Sequence, residues 1–393
     1  MQPTGTPSMA VYHSVCYRIV RRLRSICDVR YPPANDAAVS GVHRDRNNHA
    51  LPGIRQPAYG DLAATQRYGR GMTDTTVPSI CIVGCASWDT LLPVDHYPAE
   101  SEYCIASDEI QMPGGTSTNV AVALARLGMP PRFAGVVGDD WRGERLRAGL
   151  EAAGVVCDML GVHVGQDSDR SIIPISPSGS RTIFWIKGAM LGRGDVLDLP
   201  AIFRHSVVYL DIVDLDFWAD ILDAYDRDRD NRPNTPLLIG QTVFVAGILA
   251  PEAALPFVGR HDLFIGGEWE WQLMTGATSR ADIVTRLQHT MHDTRLRMVV
   301  VTHGADGCTV IMKGAIFEAP AANVRVVDTT GAGDAFAAGF IFGLLRGWSP
   351  ERCAQFANAV GGLATRALGS QVALPSLHEA WRLAFGTDPD EAC

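Results

Sequence analysis

Lysine is almost missing from this chain: Lys187 and Lys313 are the only two among 393 residues, and glycine follows each of them. A P-loop requires Gly-Lys-Ser/Thr, so that route to phosphate binding is excluded. Arginine does not make up the difference, because 34 basic residues face 43 acidic ones and leave a net charge of −9. This balance argues against a nucleic-acid groove.

The chain also lacks an apolar run of about eighteen residues, the length that crosses a bilayer, so we expect no membrane partner. Its nine cysteines are spread singly, with no C-x-x-C pair. That spacing indicates neither a zinc site nor a disulfide framework, and it favours a reducing cytoplasm. With 47% hydrophobic residues, the chain is long enough for one large α/β domain and a smaller unit.

The first 71 residues differ in composition from the rest. They hold ten arginines and four aspartates but no lysine or glutamate, with many Pro, Gly and Asn residues. Apart from a short basic helix over 10–24, we predict a disordered leader over 1–76, followed by the folded domain over 77–385. Three interpretations of the leader stay open: a gene model that is too long, with Met72 as the true start, an organelle transit peptide, or a regulatory tail.

The most informative stretch is Asp328-Thr-Thr-Gly-Ala-Gly-Asp334. The residues 324–327 before it predict a strand, its two glycines predict a tight turn, and the apolar run to Leu345 predicts a buried helix. Free N–H groups and the positive dipole end at such a helix start suit a phosphate. Asp334 puts a carboxylate in the first turn of this helix, where it would repel a bound phosphate. Its presence is explained if it takes a proton from a hydroxyl that attacks phosphorus. The alternative is a tight turn with a capping aspartate.

This motif resembles the second signature of the PfkB carbohydrate kinases, the ribokinase-like family. The stretch Gly114-Gly-Thr-Ser-Thr-Asn119 resembles their first signature, in the right order and more than 200 residues earlier. The similarity runs over 79–375. It implies a ribokinase-like α/β fold: a parallel sheet with helices on both faces and a small β-sheet lid from about 90–111 and 171–187. It also implies transfer of the γ-phosphoryl group of ATP, with magnesium, to a sugar hydroxyl.

The resemblance also assigns roles to individual residues. Asp334 would be the general base, and the N–H groups of the glycine turn would stabilise charge in the transition state. Two cations are implied, a hydrated Mg²⁺ and a monovalent ion such as K⁺. The implied positions are Gly331, Ala332 and Gly333 for the turn; Asp89, Gly115 and Asn119 for the sugar; Thr302, Gly304, Gly307 and Asn358 for ATP; Glu270, through water, for Mg²⁺; and Asp328 with the Thr330 carbonyl for K⁺.

Two stretches depart from the family pattern. Where relatives usually have Asn-x-x-Glu, this chain has Gly267-Glu-Trp-Glu270, so the asparagine is replaced by glycine. One strand earlier, Ile239-Gly-Gln-Thr242 lacks the Asp-x-Asn often found there. Both departures concern the expected arrangement of the metal and the γ-phosphate.

Between the two motifs, buried-strand runs alternate with helical patterns, which is typical of βαβ units. We interpret Asp211, Asp214 and Asp216 as a cluster at a helix N-terminus. His289 and His292 lack a third ligand and do not predict a metal site. The expected strands are 79–84, 90–94, 103–111, 132–138, 171–176, 181–186, 207–211, 237–240, 263–266 and 298–302; the expected helices begin near 117 or span 144–153, 217–225 and 283–292.

Three alternatives to a sugar kinase stay open. A nucleoside kinase of the same fold would have an apolar, base-stacking lid surface. In a sugar-phosphate kinase, the basic lid residues Arg170, Arg181 and Lys187 would face the pocket. Otherwise they are charges on the lid edges that discourage aggregation. A sugar-binding regulator would have lost turnover, which Gly267 favours and Asp334 opposes. The expected partners are a small sugar and ATP, together with a second copy paired through the lid.

Overall fold

The computed structural model describes residues 79–389 except 178, 180, 230–234 and 242. The leader, including the helix expected over 10–24 and Met72, lies outside the described residues. Thirteen strands are present in the described part: β1 Ile80–Gly84, β2 Ser87–Pro93, β3 Ile110–Gly114, β4 Arg132–Gly138, β5 Val156–His163, β6 Arg170–Ile175, β7 Phe184–Ile186, β8 Val207–Asp211, β9 Leu237–Gln241, β10 Leu263–Gly267, β11 Met298–Thr302, β12 Cys308–Met312 and β13 Ala315–Ala319.

Helices connect most of these strands. The first-signature glycines precede α1, and the second-signature turn precedes α9, the buried helix expected from the sequence. The bounds in the described part are α1 Thr116–Arg126, α2 Trp141–Ala152, α3 Leu199–Ile202, α4 Leu215–Asp228, α5 Val243–Ile248, α6 Pro251–Val258, α7 Glu268–Thr275, α8 Arg280–Asp293, α9 Ala332–Leu345, α10 Pro350–Ala364 and α11 Leu377–Phe385, with a 3₁₀ turn at Gly304–Asp306.

The main sheet has nine strands in the order β13-β12-β11-β10-β9-β8-β1-β4-β5. From β11 to β5 all neighbours are parallel, while β12 and β13 pair antiparallel at one edge. Alternate side chains of β1 enter two separate cores: Ile80 and Ile82 pack with α1, α9 and α10, whereas Cys81 and Val83 pack with α4, α7 and α8. The expectation of a sheet covered by helices on both faces is confirmed.

A second sheet of four strands has the order β3-β2-β6-β7. Its β6 and β7 form the expected antiparallel hairpin. The strand expected over 103–111 is largely wrong, because pairing with β2 begins at Ile110 and continues to Gly114. The weak alternation before Ile110 falls on an exposed loop, where Tyr103 and Ile105 point to solvent.

The strand expected over 324–327 is also wrong. This β-branched run follows the edge hairpin, and it pairs with no strand among the described residues. Val326 and Val327 are half exposed, and the backbone N–H of Val327 donates instead to the carbonyl of Thr365 at 2.7 Å. The apolar pattern therefore marks an extended connection that delivers the chain to the start of α9.

Candidate active site

One cavity of about 620 Å³ lies where the carboxyl ends of the main-sheet strands meet the inner face of the small sheet and the start of α9. This edge is the usual ligand position in open α/β sheets. The lining includes most of the expected site residues: Asp89, Gly115, Asn119, Glu270, Thr302, Thr330, Gly331, Gly333 and Asp334.

Asp334 is buried in the first turn of α9 and lines the cavity. Its Oδ2 accepts a hydrogen bond of 2.8 Å from Asn119 Nδ2, and its Oδ1 accepts one of 3.2 Å from Gln241 Nε2. Burial raises the pKa of the Asp334 carboxyl to about 6, although both hydrogen bonds lower it. The carboxylate is therefore ionised at pH 7, and because its pKa is only about one unit lower, it can accept a proton readily.

Gly331 is in the left-handed conformation, with φ of 75°, and it precedes α9. A Cβ there would lie 2.6 Å from Ser370 Cβ, so only glycine fits this turn. The N–H of Ala332 donates to Thr329 O at 3.2 Å, which occupies one of the expected donors. Within the described residues, the N–H groups of Gly331, Gly333 and Asp334 donate to no protein atom. These three groups form the part of the turn that can bind an anion.

The carboxylate of Asp328 stabilises the glycine turn through three hydrogen bonds. Its Oδ1 accepts hydrogen bonds from the Thr330 N–H at 2.9 Å and from Thr330 Oγ1 at 2.7 Å, and its Oδ2 accepts one from the Gly369 N–H at 2.8 Å. The carboxylate thus ties the glycine turn to the loop after α10. Next to Gly369, the buried Oγ of Ser370 has no hydrogen-bond partner among the described residues.

Asp89 enters the cavity from β2. It is 7% exposed, and its side chain makes no hydrogen bond within the described part of the chain. Burial and the neighbouring charges of Asp169 and Asp334 raise the pKa of Asp89 to about 7. Glycine at 114 makes room for it, since a Cβ there would lie 1.9 Å from Asp89 Oδ2.

Asn119 has both ends of its amide engaged by the protein. Besides the bond to Asp334, its Oδ1 accepts a hydrogen bond of 3.0 Å from Gln371 Nε2. The side chain thus orients the carboxylate of Asp334 as well as facing the cavity. Gly115 before it has φ of 95°, and a Cβ there would lie 2.8 Å from the Ser87 nitrogen, which explains the glycine.

Asp169, immediately before β6, is a cavity residue that no sequence motif predicted. This residue is 4% exposed and lines the cavity beside Asp89. Its Oδ1 accepts hydrogen bonds from Trp185 Nε1 at 2.7 Å and from the Gly188 N–H at 3.2 Å. No local motif marks it, because its partners lie across a strand pair.

Gly267 ends β10 and is the N-cap residue of α7, with φ of −76°, which any residue can adopt. Glu270 lines the cavity, and its carboxylate accepts a hydrogen bond of 2.6 Å from the Gly267 N–H. The glutamate thus caps α7 as well as facing the cavity. Gln241, in the other departing stretch, donates to Asp334 and accepts a hydrogen bond from the Tyr209 hydroxyl.

The expected nucleotide residues are only partly at the cavity. Thr302 lines it, whereas Gly304, Gly307 and Asn358 are absent from its lining. Gly307 has φ of 95° and lets the chain pass the Ala319 carbonyl. Asn358 is buried, and its amide donates to the carbonyls of Ala319 and Pro320 at 3.1 and 3.0 Å.

Asp211 does not belong to a helix N-terminus, so that interpretation is wrong for this residue. Asp214 caps α4 and Asp216 is in its first turn, but Asp211 is fully buried at the end of β8. There it accepts a hydrogen bond of 2.9 Å from Ser117 Oγ, and burial raises its pKa to about 7.

In the described part of the chain, no helix is long and apolar enough to span a membrane. The same residues contain no group of three or more His, Cys, Asp or Glu side chains placed to hold a metal ion.

Comparison with solved structures shows the same fold. Ribokinase from Arabidopsis thaliana, complexed with ribose and ATP, has a TM-score of 0.66 at 22% identity and covers 79% of this chain and 99% of its own. Adenosine kinase from Sinorhizobium meliloti has a TM-score of 0.67 at 22% identity, covering 78% and 99%. The expected ribokinase-like fold is confirmed.

Sequence comparison gives closer relationships. The chain is 31% identical to an ATP-dependent ribose-1-phosphate kinase from Halopiger xanaduensis, over 74% of this chain and 93% of the relative. It is 30% identical to an aminoimidazole riboside kinase from Salmonella typhimurium, over 68% and 86%. The family model described as "pfkB family carbohydrate kinase" matches residues 78–377. The chain therefore belongs to the pfkB family of carbohydrate kinases.

Proposed function

We propose that the protein transfers the γ-phosphoryl group of ATP to a hydroxyl group of a small sugar or sugar derivative, with Asp334 as the general base. The observation that carries this proposal is the position of Asp334. Its buried carboxylate faces the same cavity as the unpaired N–H groups of Gly331 and Gly333, and Asn119 and Gln241 hold it in place. A base and an anion-binding turn thus meet at one point.

Each group has a separate task in this reaction. Asp334 accepts the proton of the attacking hydroxyl, and its pKa of about 6 leaves it ionised at pH 7. The N–H groups of the turn stabilise the charge on the transferred phosphoryl group. Asp89 accepts a hydrogen bond from a sugar hydroxyl, which supplies the partner that this buried carboxylate lacks in the described chain. The small sheet covers the acceptor and excludes water.

Two cations belong to the proposal. Glu270, in the first turn of α7, brings a carboxylate to the cavity. A single carboxylate suits Mg²⁺, an ion that keeps several waters and binds through one or two carboxylates and phosphates. Asp328, the Thr330 carbonyl and the unpartnered Ser370 hydroxyl offer the oxygen ligands that K⁺ prefers. When bound, these ions neutralise phosphate charge beside the turn.

The direct test is an ADP-release assay on the full chain with ATP, Mg²⁺ and a panel of pentoses, hexoses, ribonucleosides and pentose phosphates. We expect turnover with at least one acceptor. Asp334→Asn should abolish it while ATP binding persists. A protein that binds ATP and acceptor without turnover would support the sugar-binding regulator instead.

A sugar-phosphate kinase is the second candidate, because one lid arginine faces the cavity. Arg181 lines it, and its Nη1 donates a hydrogen bond of 2.8 Å to Thr329 Oγ1 beside the anion-binding turn. Arg170 instead pairs with Asp167 at 2.9 Å. If the acceptor carries a phosphate, Arg181→Gln should raise KM for a pentose phosphate at least about tenfold and leave KM for free pentose nearly unchanged.

Cellular location and assembly complete the proposal. We place the reaction in the cytoplasm, supported by the six described cysteines, which are all free. We also propose a homodimer formed through the small sheet, whose outer strands β3 and β7 have unpaired edges within the described residues. Sedimentation of the full chain tests the dimer, and subcellular fractionation tests the location.

A further inference from the structure

The inner face of the small sheet is divided into a polar half and an apolar half. Strand pairing places Asp89 opposite Ser171, and Ser171 opposite Trp185, so these side chains point to the same face. The polar half holds Ser87, Asp89, Asp169 and Ser171. The apolar half holds Ile173, Ile183 and Trp185.

The apolar half offers a free sugar no hydrogen-bonding side chain, because the indole N–H of Trp185 is already bonded to Asp169. A pentose carries hydroxyl groups on most of its carbons, and a hydroxyl buried against isoleucine and indole loses its hydrogen bonds with water. Yet Ile183 and Trp185 are 54% and 45% exposed, so they present a sizeable apolar wall to the cavity. A wall of this kind favours the flat, apolar face of a ring.

Trp185 is not free to turn away from the cavity. Its indole Nε1 donates a hydrogen bond of 2.7 Å to Asp169 Oδ1, and the Gly188 N–H binds the same oxygen. Both of these hydrogen bonds fall on Oδ1, so together they fix the orientation of the carboxylate and of the indole.

From this geometry we infer that the Asp169–Trp185 pair selects the acceptor, and that the acceptor is a sugar joined to a planar ring, as in a nucleoside. Asp169 is a positioning residue that holds the indole as a wall for the ring substituent. The sugar hydroxyls lie in the polar half, between Asp89 and Asp334. The inference rests on the proposed function and names the substrate class of the same site.

The chain offers a matched control. Phe184 lies between Ile183 and Trp185 on β7 and is 58% exposed, but it is absent from the cavity lining. Removing its ring changes exposed aromatic surface on the same strand without changing the cavity. Phe184→Ala should therefore leave the substrate preference unaltered.

The experiment compares inosine, ribose and ribose 1-phosphate as acceptors for the full chain and its variants, with saturating ATP and Mg²⁺. For the wild type we expect the highest kcat/KM with inosine. Trp185→Ala and Asp169→Ala should each lower the inosine-to-ribose ratio of kcat/KM at least about tenfold, mainly through KM, because ring stacking is lost from ground and transition states alike.

Conservative changes separate positioning from charge. Asp169→Asn keeps an oxygen for the indole N–H, so the inosine-to-ribose ratio should stay within about threefold of the wild type whatever happens to the two rates. Trp185→Phe keeps a ring without the donor and should give an intermediate ratio. The inference is overturned if the inosine-to-ribose ratio of kcat/KM is unchanged in both Trp185→Ala and Asp169→Ala. It is also overturned if Phe184→Ala lowers that ratio as much as those two variants do.

A binding measurement keeps the two proposals distinguishable. Calorimetry with a non-hydrolysable ATP analogue reports acceptor binding even without turnover. Inosine that binds most tightly while no acceptor of the panel is phosphorylated would overturn the proposed function alone. Failure of inosine to bind, or a preference for ribose or ribose 1-phosphate, would overturn this inference and leave the kinase proposal standing.

Discussion

Asn119 Nδ2 donates a hydrogen bond of 2.8 Å to Asp334 Oδ2, across a sequence separation of 215 residues. The two residues come from the first and second signature motifs, each at the start of a buried helix. Their contact joins α1 to α9 and brings the two distant motifs to one point of the cavity. The orientation of the Asp334 carboxylate therefore depends on both helices.

Asp334→Asn is the first test of the mechanism. As general base, the carboxylate should contribute roughly 10²–10⁴-fold to the rate, whereas it contributes little to ATP binding. We expect that loss in kcat, with the dissociation constant for ATP within a few fold of the wild type. Steady-state kinetics and nucleotide titration measure the two quantities. Near-normal turnover would show that Asp334 is a helix cap rather than the base.

The pH dependence of the reaction should follow the buried carboxylates. Burial raises the pKa of Asp334 to about 6 and that of Asp89 to about 7, and the roles proposed for both groups require their ionised forms. We therefore expect kcat/KM for the acceptor to be constant above pH 8 and to fall as the pH drops through about 7 and 6. In Asp89→Asn the fall should begin about one pH unit lower. A profile flat down to pH 5 would contradict both roles.

Gln241 occupies a place where relatives often have a different motif, and it donates to Asp334 at 3.2 Å. Replacing it with methionine keeps the length of the side chain but removes the donor. We expect Gln241→Met to lower kcat about tenfold, with the acceptor KM little changed, because the carboxylate loses one of its two anchors. Circular dichroism should confirm that the variant is folded, and an unaltered kcat would mean that Asn119 alone suffices.

Gly267→Asn tests the departure from Asn-x-x-Glu. The backbone at 267 has φ of −76°, so asparagine brings no backbone strain. Its Cβ would lie 3.1 Å from Glu270 Oε2, so the flexible glutamate side chain has to move slightly. The new side chain should help Glu270 to hold hydrated magnesium, so half-maximal rate should need less free Mg²⁺ than in the wild type. The comparison is a magnesium titration of initial rate at saturating ATP. Superimposable curves would show that the missing asparagine is already compensated.

The leader remains a prediction from composition, since it lies outside the described residues. A chain that begins at Met72 should keep the melting temperature and kinetics of the full chain. Differential scanning calorimetry and the ADP-release assay measure both. A melting temperature lower by many degrees would show that the leader contributes to the fold.

The main features of the fold were predictable because their causes are local. Val207–Asp211 and Met298–Thr302 are apolar runs bounded by polar residues, and the strands match those expectations. The edge hairpin of β12 and β13 was not predicted, because its short strands lack a strong pattern and are fixed by pairing with β11. The strand predicted over 324–327 is wrong for the opposite reason. These residues have the composition of a strand, but no strand of the described part lies beside them to pair with.

The sequence by itself determined the two glycine turns, the helices behind them and the carboxylate in the first turn of α9. These follow from backbone freedom at glycine and from helix periodicity, which act over a few residues. Only the tertiary structure decided what surrounds that carboxylate. Gln241 at the end of β9 reaches Asp334 in α9, and Asp169 just before β6 holds Trp185 of β7 beside the cavity. Both contacts join elements far apart in the chain or on different strands, and such neighbours are set by the whole sheet rather than by any short stretch of sequence.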